Sequence, residues 1–369
     1  MATEATARPQ SDLSIPPGEF LEEEIAALGM TQQELAIRTG RPLQVINEII
    51  KGKKAITEDT ALELERVLNI PAHVWINLEG EYQLTKARSR EQDELAGQED
   101  WLKEFPLKDM EALKWIAKGT SRSEKVRALL KFFGVANFSA YQKTAYSRSA
   151  AMGFRITPGA RAKVSDGALN AWLRKGELDG LNLDTRKYDP DRFRAAVEAI
   201  RQLTDKEPTS ALQRMRELLA EAGVALILTP PLPKSAASGC ARWLTKEKAL
   251  IQLSARGLSD DKLWFDFFHE AGHVVKHEIR QVYVEGLNGE SPAEDEANAF
   301  ASDILIPPAA WAAFVQRADY SASSVKDFAS GLGLIPGIVV GRMQHDHKIT
   351  YATLNHLKTP LRWVHKEGE

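Results

Sequence analysis

The chain has 369 residues, 43% of them hydrophobic and 27% charged, with a formal net charge of −3. That length exceeds one ordinary core and predicts two or three domains, while the charge balance excludes a general attraction to nucleic acid. No apolar run reaches the roughly 18 residues of a membrane span, and the single cysteine, Cys240, excludes an internal disulfide and a cysteine-rich zinc finger.

The N-terminal stretch MATEATARPQSDLSIPPGEF lacks a charged-then-apolar leader pattern, so a cytoplasmic chain with no membrane contact is expected. From Pro16 the sequence reads as a series of short helices. PPGEFLEEEIAALG spaces Phe20, Leu21, Ile25 and Leu28 at helical intervals and stops at Gly29. TQQELAIRTG opens on Thr31 and Glu34, the spacing of a capping box, and ends at Gly40. RPLQVINEIIKGKK places Pro42 in a first turn and closes at Gly52. A fourth helix runs from Thr57 to the Asn69/Pro71 stop, and PAHVWINLEGEYQLTKAR makes a fifth.

Five short helices, the second and third joined by a tight glycine turn, predict a helix-turn-helix module. PGEFLEEEIAALGMTQQELA, INEIIKGKKAITEDTALELERVL and WINLEGEY together resemble the XRE-type helix-turn-helix of HigA-like antitoxins over about the first 85 residues. Candidate DNA contacts are Gln32 and Gln33, which start the second helix, and Gln44 and Asn47 in the third, suited to adenine edges. Lys51, Lys53 and Lys54 form a small basic cluster for phosphates. Against this, residues 1–88 hold nine Lys/Arg and fourteen Asp/Glu, and the third helix starts on Pro42, Leu43 and Val45. Operator DNA therefore needs the local lysine patch and a homodimer, or the module binds a protein instead.

The middle, residues 89–210, is expected as a helical connector. RSREQDELAGQED reads as a helix extension or a linker. SRSEKVRALLKFFGV, PGARAKVSDGALNAWLRKGEL and DPDRFRAAVEAIRQL read as amphipathic helices, with Ser121 and Glu124 as a second capping box. No catalytic constellation occurs there.

The last segment, residues 211–369, begins with the helix ALQRMRELLAEAG and the strand VALILT. Cys240–Leu244 and Lys248–Leu253 read as two more strands of a small sheet, one of which is able to pair with an extended substrate. Cys240 itself reads as a packed strand residue. SDDKLWFDFFHEAGHVVKHE is a helix capped at Ser259 or Asp260, AEDEANAFASDILIPPAAW another ended by paired prolines, and SSVKDFASGLGLIPGIVVGRMQHD one or two more.

His269 and His273 stand four residues apart, so on a helix both imidazoles face the same way and suit one zinc ion at about 2.0–2.1 Å. Glu270, about 100° round the helix, is placed to act as general base on a water rather than as a ligand. A catalytic zinc needs a third protein ligand, and Glu294, Asp295, Glu296 and Asp303 all offer carboxylates. Asp303 and Asn298 are candidates to hold a histidine's other N–H. His277 reads as an outer or surface residue, and His345 and His347 as a solvated turn.

DDKLWFDFFHEAGHVVKHE followed by EDEANAFASDILIP resembles the ImmA/IrrE family of zinc peptidases over roughly residues 215–345. The resemblance implies a zincin-like fold, bound zinc, and a third ligand at the glutamate directly before Ala-Asn-x-Phe-Ala, here Glu296. The expected fold class is α+β, predominantly α: an all-helical helix-turn-helix module over residues 1–88, the connector, and a zincin-like domain with a small β-sheet. The resemblances imply a regulatory zinc endopeptidase that cleaves a repressor or antitoxin partner. The competing expectation is an antitoxin and autorepressor with a toxin partner, whose zincin domain is a metal-stabilised binding module.

Overall fold

The computed structural model describes residues 15–144, 164–206, 208–235, 237–254, 259–276, 283–284 and 292–361. The chain divides into two compact units, Met1–Gln98 and Glu99–Glu369.

The first unit contains α1 (Pro17–Ala27), α2 (Gln32–Thr39), α3 (Leu43–Ile50), α4 (Glu58–Leu68) and α5 (Ala72–Ala96). The RSREQDELA stretch is thus a continuation of α5. Leu21, Ile25, Leu35, Ile46, Ile49, Leu64 and Trp75 form one buried core, which fixes how α2 and α3 are held. Gly40 turns the chain between them at φ 70°, a left-handed conformation that glycine adopts without steric cost. The Thr31 hydroxyl accepts from the Glu34 amide at 3.1 Å, but the expected capping box is only half made. Glu34 instead takes a hydrogen bond from Arg38, one turn along. The full box does form at Ser121 and Glu124.

The second unit carries α6 (Leu107–Ala112), α7 (Arg122–Phe133), α8 (Phe138–Lys143), α9 (Asp166–Asn182), α10 (Pro190–Arg201) and α11 (Pro208–Glu221) ahead of the sheet. Strands β1 (Val224–Leu228), β2 (Gly239–Thr245), β3 (Lys248–Leu253) and β4 (Tyr283–Val284) follow the order β1-β3-β2-β4. β1 and β3 run parallel, while β2 is antiparallel to both β3 and β4. Then come α12 (Asp260–Lys276), α13 (Pro292–Leu305), α14 (Pro308–Arg317), α15 (Ala322–Gly331) and α16 (Pro336–His345). The two-residue strand β4 had no signal in the sequence pattern. Pro307 and Pro308 separate two helices rather than simply ending one.

Both faces of the parallel pair are covered, which is why VALIL and KALIQL read as continuous apolar runs rather than alternating ones. On one face Val224, Leu226, Ala249, Ile251 and Leu253 share a core with Phe267, Phe268 and Ala271 of α12. On the other lies α9, from the segment expected as a connector. Trp172 Nε1 donates to the Thr229 carbonyl at 3.2 Å, and Gln252 Nε2 donates to the Trp172 carbonyl at 2.7 Å. A Cβ on Gly176 would meet the Gln252 amide at 2.0 Å, so glycine there is what lets α9 lie against β3. Among the described residues no single helix is long and apolar enough to cross a membrane.

Candidate metal centre and helix-turn-helix surface

α12 buries Asp266, His269, Glu270 and His273 together, the last three at 1%, 0% and 2% exposure. Burying such groups is costly unless each is answered by a partner. The cost is offset locally by Phe267, Phe268 and Ala271, which anchor the helix on the sheet.

The answering groups come from α13, which packs antiparallel to α12. His269 Nδ1 stands 3.0 Å from Asn298 Oδ1, an atom that only accepts, so Nδ1 carries the proton and Nε2 presents its lone pair. His273 Nε2 stands 3.1 Å from His269 Nε2. Glu294 reaches both: its Oε2 is 3.1 Å from His269 Nε2 and its Oε1 3.5 Å from His273 Nε2. Three lone-pair donors thus converge on one point, an arrangement that repels unless a cation or proton sits among them. Donors tetrahedrally disposed about zinc at 2.0–2.1 Å stand about 3.3 Å apart, so the set fits that ion. Two imidazoles and a carboxylate are also the donor chemistry zinc takes in hydrolytic sites.

Glu296, the third ligand implied by resemblance, is not in this cluster. Helix geometry explains why Glu294 and not Glu296 stands beside the histidines: Glu294 shares the buried face of α13 with Ala297, Ala301 and Leu305, three or four residues apart. Glu296 is about 200° round from Glu294 and is exposed, beside Lys276 and Asp303 in a surface depression. Asp303 is therefore not a support for the histidines, whereas Asn298 is placed as expected. Gly272 sets the close approach of the two helices, since a Cβ there would meet Ala297 Cα at 3.2 Å.

The Glu270 carboxylate lies against Gly239 of β2. A Cβ on Gly239 would lie 2.4 Å from Glu270 Oε1, so only glycine leaves room for that carboxylate. Burial, with the Glu270 charge adding to it, pushes the Cys240 thiol up to about 12, consistent with an inert packing residue on β2. Gly239→Ala is expected to displace Glu270 while leaving the three donors in place. Zinc content should stay unchanged while any Glu270-dependent hydrolysis falls at least tenfold, measured side by side on the two proteins. His277 lies outside the described residues. His345 is exposed and pairs with Asp346 at 3.0 Å, and His347 occupies the following turn at φ 54°.

In the first unit, Gln33 and Gln44 are exposed and Gln32 and Asn47 half-buried. Gln44 Nε2 donates to Glu48 Oε1 at 2.9 Å, and Gln32 Nε2 to Glu22 Oε1 at 3.5 Å. Lys51, Lys53 and Lys54 are exposed together around the Gly52 turn. Ile37 and Leu43, 75% and 40% exposed, are apolar side chains on the surface of the same module.

The family described as Helix-turn-helix matches residues 21–75. Virulence-associated protein I of Dichelobacter nodosus is 36% identical over 80 residues, spanning 21% of this chain and 74% of that protein. The chain belongs to the helix-turn-helix family. Behind that module it carries an IrrE N-terminal-like domain, matched over residues 223–355, which includes both the HEAGH stretch and α13. A HigA-family addiction module antidote protein from Coxiella burnetii is 30% identical, covering 23% of this chain and 92% of its own, with a TM-score of 0.22. The Pseudomonas aeruginosa antitoxin HigA, solved with the higBA promoter, is 28% identical over 22% of this chain and 90% of its own, again at a TM-score of 0.22.

Proposed function

We propose that the chain is a helix-turn-helix regulator whose IrrE N-terminal-like domain binds zinc through His269, His273 and Glu294 and hydrolyses a peptide bond in a repressor or antitoxin partner. The observation that carries this reading is the convergence of three buried donors one residue away from a buried carboxylate. Zinc held there supplies Lewis-acid activation of a water and of the scissile carbonyl. Glu270 takes the proton of the attacking water and returns it to the leaving amine. Asn298 holds His269 in the tautomer that presents Nε2, a support whose loss typically costs 10–100-fold in affinity or activity. Glu270→Gln keeps the shape and the zinc but removes the base. Incubated with the candidate partner protein, it should cleave at least a hundredfold more slowly than wild type at equal zinc content. Cleavage at the wild-type rate would refute the role of Glu270.

A second reading is favoured by the depth of burial, with Glu270 at 0% and His269 at 1% exposure. In it the zinc stabilises a binding module, and the protein acts as an antitoxin-type autorepressor without turnover. Zinc retention with no cleavage by wild-type protein would select it.

Operator binding, as a homodimer, is proposed for the first unit through the lysines at the Gly52 turn. Neutralising Lys51, Lys53 and Lys54 together should weaken binding and lower the slope of log K against log salt by about 2–3, since each phosphate contact contributes roughly 0.9. An unchanged slope in titrations across a salt series would show that these lysines touch no phosphate.

A further inference from the structure

A cavity of about 320 Å³ opens beside the donor cluster, between α12, α13 and α16. Its position follows from the antiparallel seam. His273 meets Glu294 and His269 meets Asn298, so the next pair towards the start of α12 is Phe265 with Ser302, and both line the cavity. One helical turn, about 6 Å, therefore separates it from the donors. The Phe265 ring, which lines the cavity, has its centroid 6.2 Å from that of His269. Leu305 and Ile338 add apolar wall, and Asp261 supplies polarity at one end.

Asp261 is 8% exposed and its Oδ2 is already neutralised by Lys358 Nζ at 2.7 Å. Its Oδ1 accepts no hydrogen bond among the described residues. Lys262, Asp266, Arg342 and His345 line it as well, so the cavity offers an apolar wall flanked by charged groups of both signs. An extended peptide advances about 3.3 Å per residue, so a residue one or two places from the cut bond would reach it.

We infer that this cavity is the specificity pocket of the proposed peptidase site. It takes a leucine- or phenylalanine-sized side chain of the substrate. This rests on the peptidase reading, so its test begins with binding rather than cleavage.

The probes are N-acetyl-L-leucinamide and N-acetylglycinamide, titrated by ligand-observed NMR against zinc-loaded, full-length Glu270→Gln. Leucinamide should bind at least tenfold more tightly, and Ser302→Phe, which fills the cavity from α13, should abolish the difference. Should Ser302→Phe lose its zinc or its near-ultraviolet dichroism, Ser302→Leu is read in the same way. Equal binding of the two probes, or a preference that survives filling, would overturn the pocket. A peptide pool given to the wild-type chain separates the two ideas. No cleavage alongside a leucinamide preference would leave the binding site standing and the peptidase reading failed. Cleavage with no apolar preference at the two residues flanking the cut would retain the peptidase and reject the pocket.

Discussion

Glu294→Ala is expected to strip the protein of zinc, while Glu296→Ala leaves it loaded. Both residues lie on α13, two positions apart, and both are glutamates in an acidic stretch. Only Glu294 reaches the imidazoles, at 3.1 and 3.5 Å. Removing it leaves two neutral nitrogens with no anionic partner, and zinc sites supported by two protein ligands are not the rule. The expected result is about one zinc per chain in wild type and Glu296→Ala, and less than about a tenth of that in Glu294→Ala after dialysis, a loss of at least tenfold in affinity, on the order of 1.4 kcal/mol or more. Metal analysis of the three proteins purified in parallel checks it. Loss of zinc from Glu296→Ala alone would reinstate the ligand that the sequence motif implied.

Arg201→Leu should produce the largest loss of stability outside the metal centre. Arg201 ends α10 at 9% exposure. Its guanidinium donates to the Ile304 and Leu305 carbonyls at 3.1 Å each, and to Leu332 and Gly333 at 2.9 and 3.5 Å. One side chain therefore caps the C-terminal ends of both α13 and α15, where helix carbonyls have no partner of their own and the helix dipole favours a cation. Among the described residues, only Gly333 of the four has a second donor, the Thr204 hydroxyl at 3.2 Å. Leucine fills the space but leaves the other three buried acceptors unanswered, at about 1–3 kcal/mol apiece. A loss of roughly 3 kcal/mol or more is expected, read as a fall in melting temperature on the order of 10 °C. Arg201→Lys, which retains the charge but not the fork of donors, should fall between the two. A change below about 1 kcal/mol would mean that the carbonyls find water instead.

The residues that specify local structure were legible from sequence because their signals are local. Gly40, Gly52 and the Ser121–Glu124 box mark helix ends within a few positions, and the HEAGH spacing fixes two imidazoles on one helical face. The third donor was harder to assign because it depends on which face of α13 meets α12. The periodicity of Glu294, Ala297, Ala301 and Leu305 contains that information, and weighting it above the motif would have selected Glu294. The role of α9 depends on a partner about 75 residues away in sequence, but Gly176 and Gly180, two helix-weakening residues one turn apart, were a readable sign of close packing. The strand β4 left no trace, since two residues carry no period at all.

The central claim is that a zinc ion is held by His269, His273 and Glu294, and zinc-edge X-ray absorption on the chain purified without chelator tests it most directly. The account predicts a first shell of nitrogen and oxygen only, at about 2.0–2.1 Å, with the outer scattering of two imidazoles. A shell that requires sulfur, or a purified chain with no zinc to measure, would contradict it.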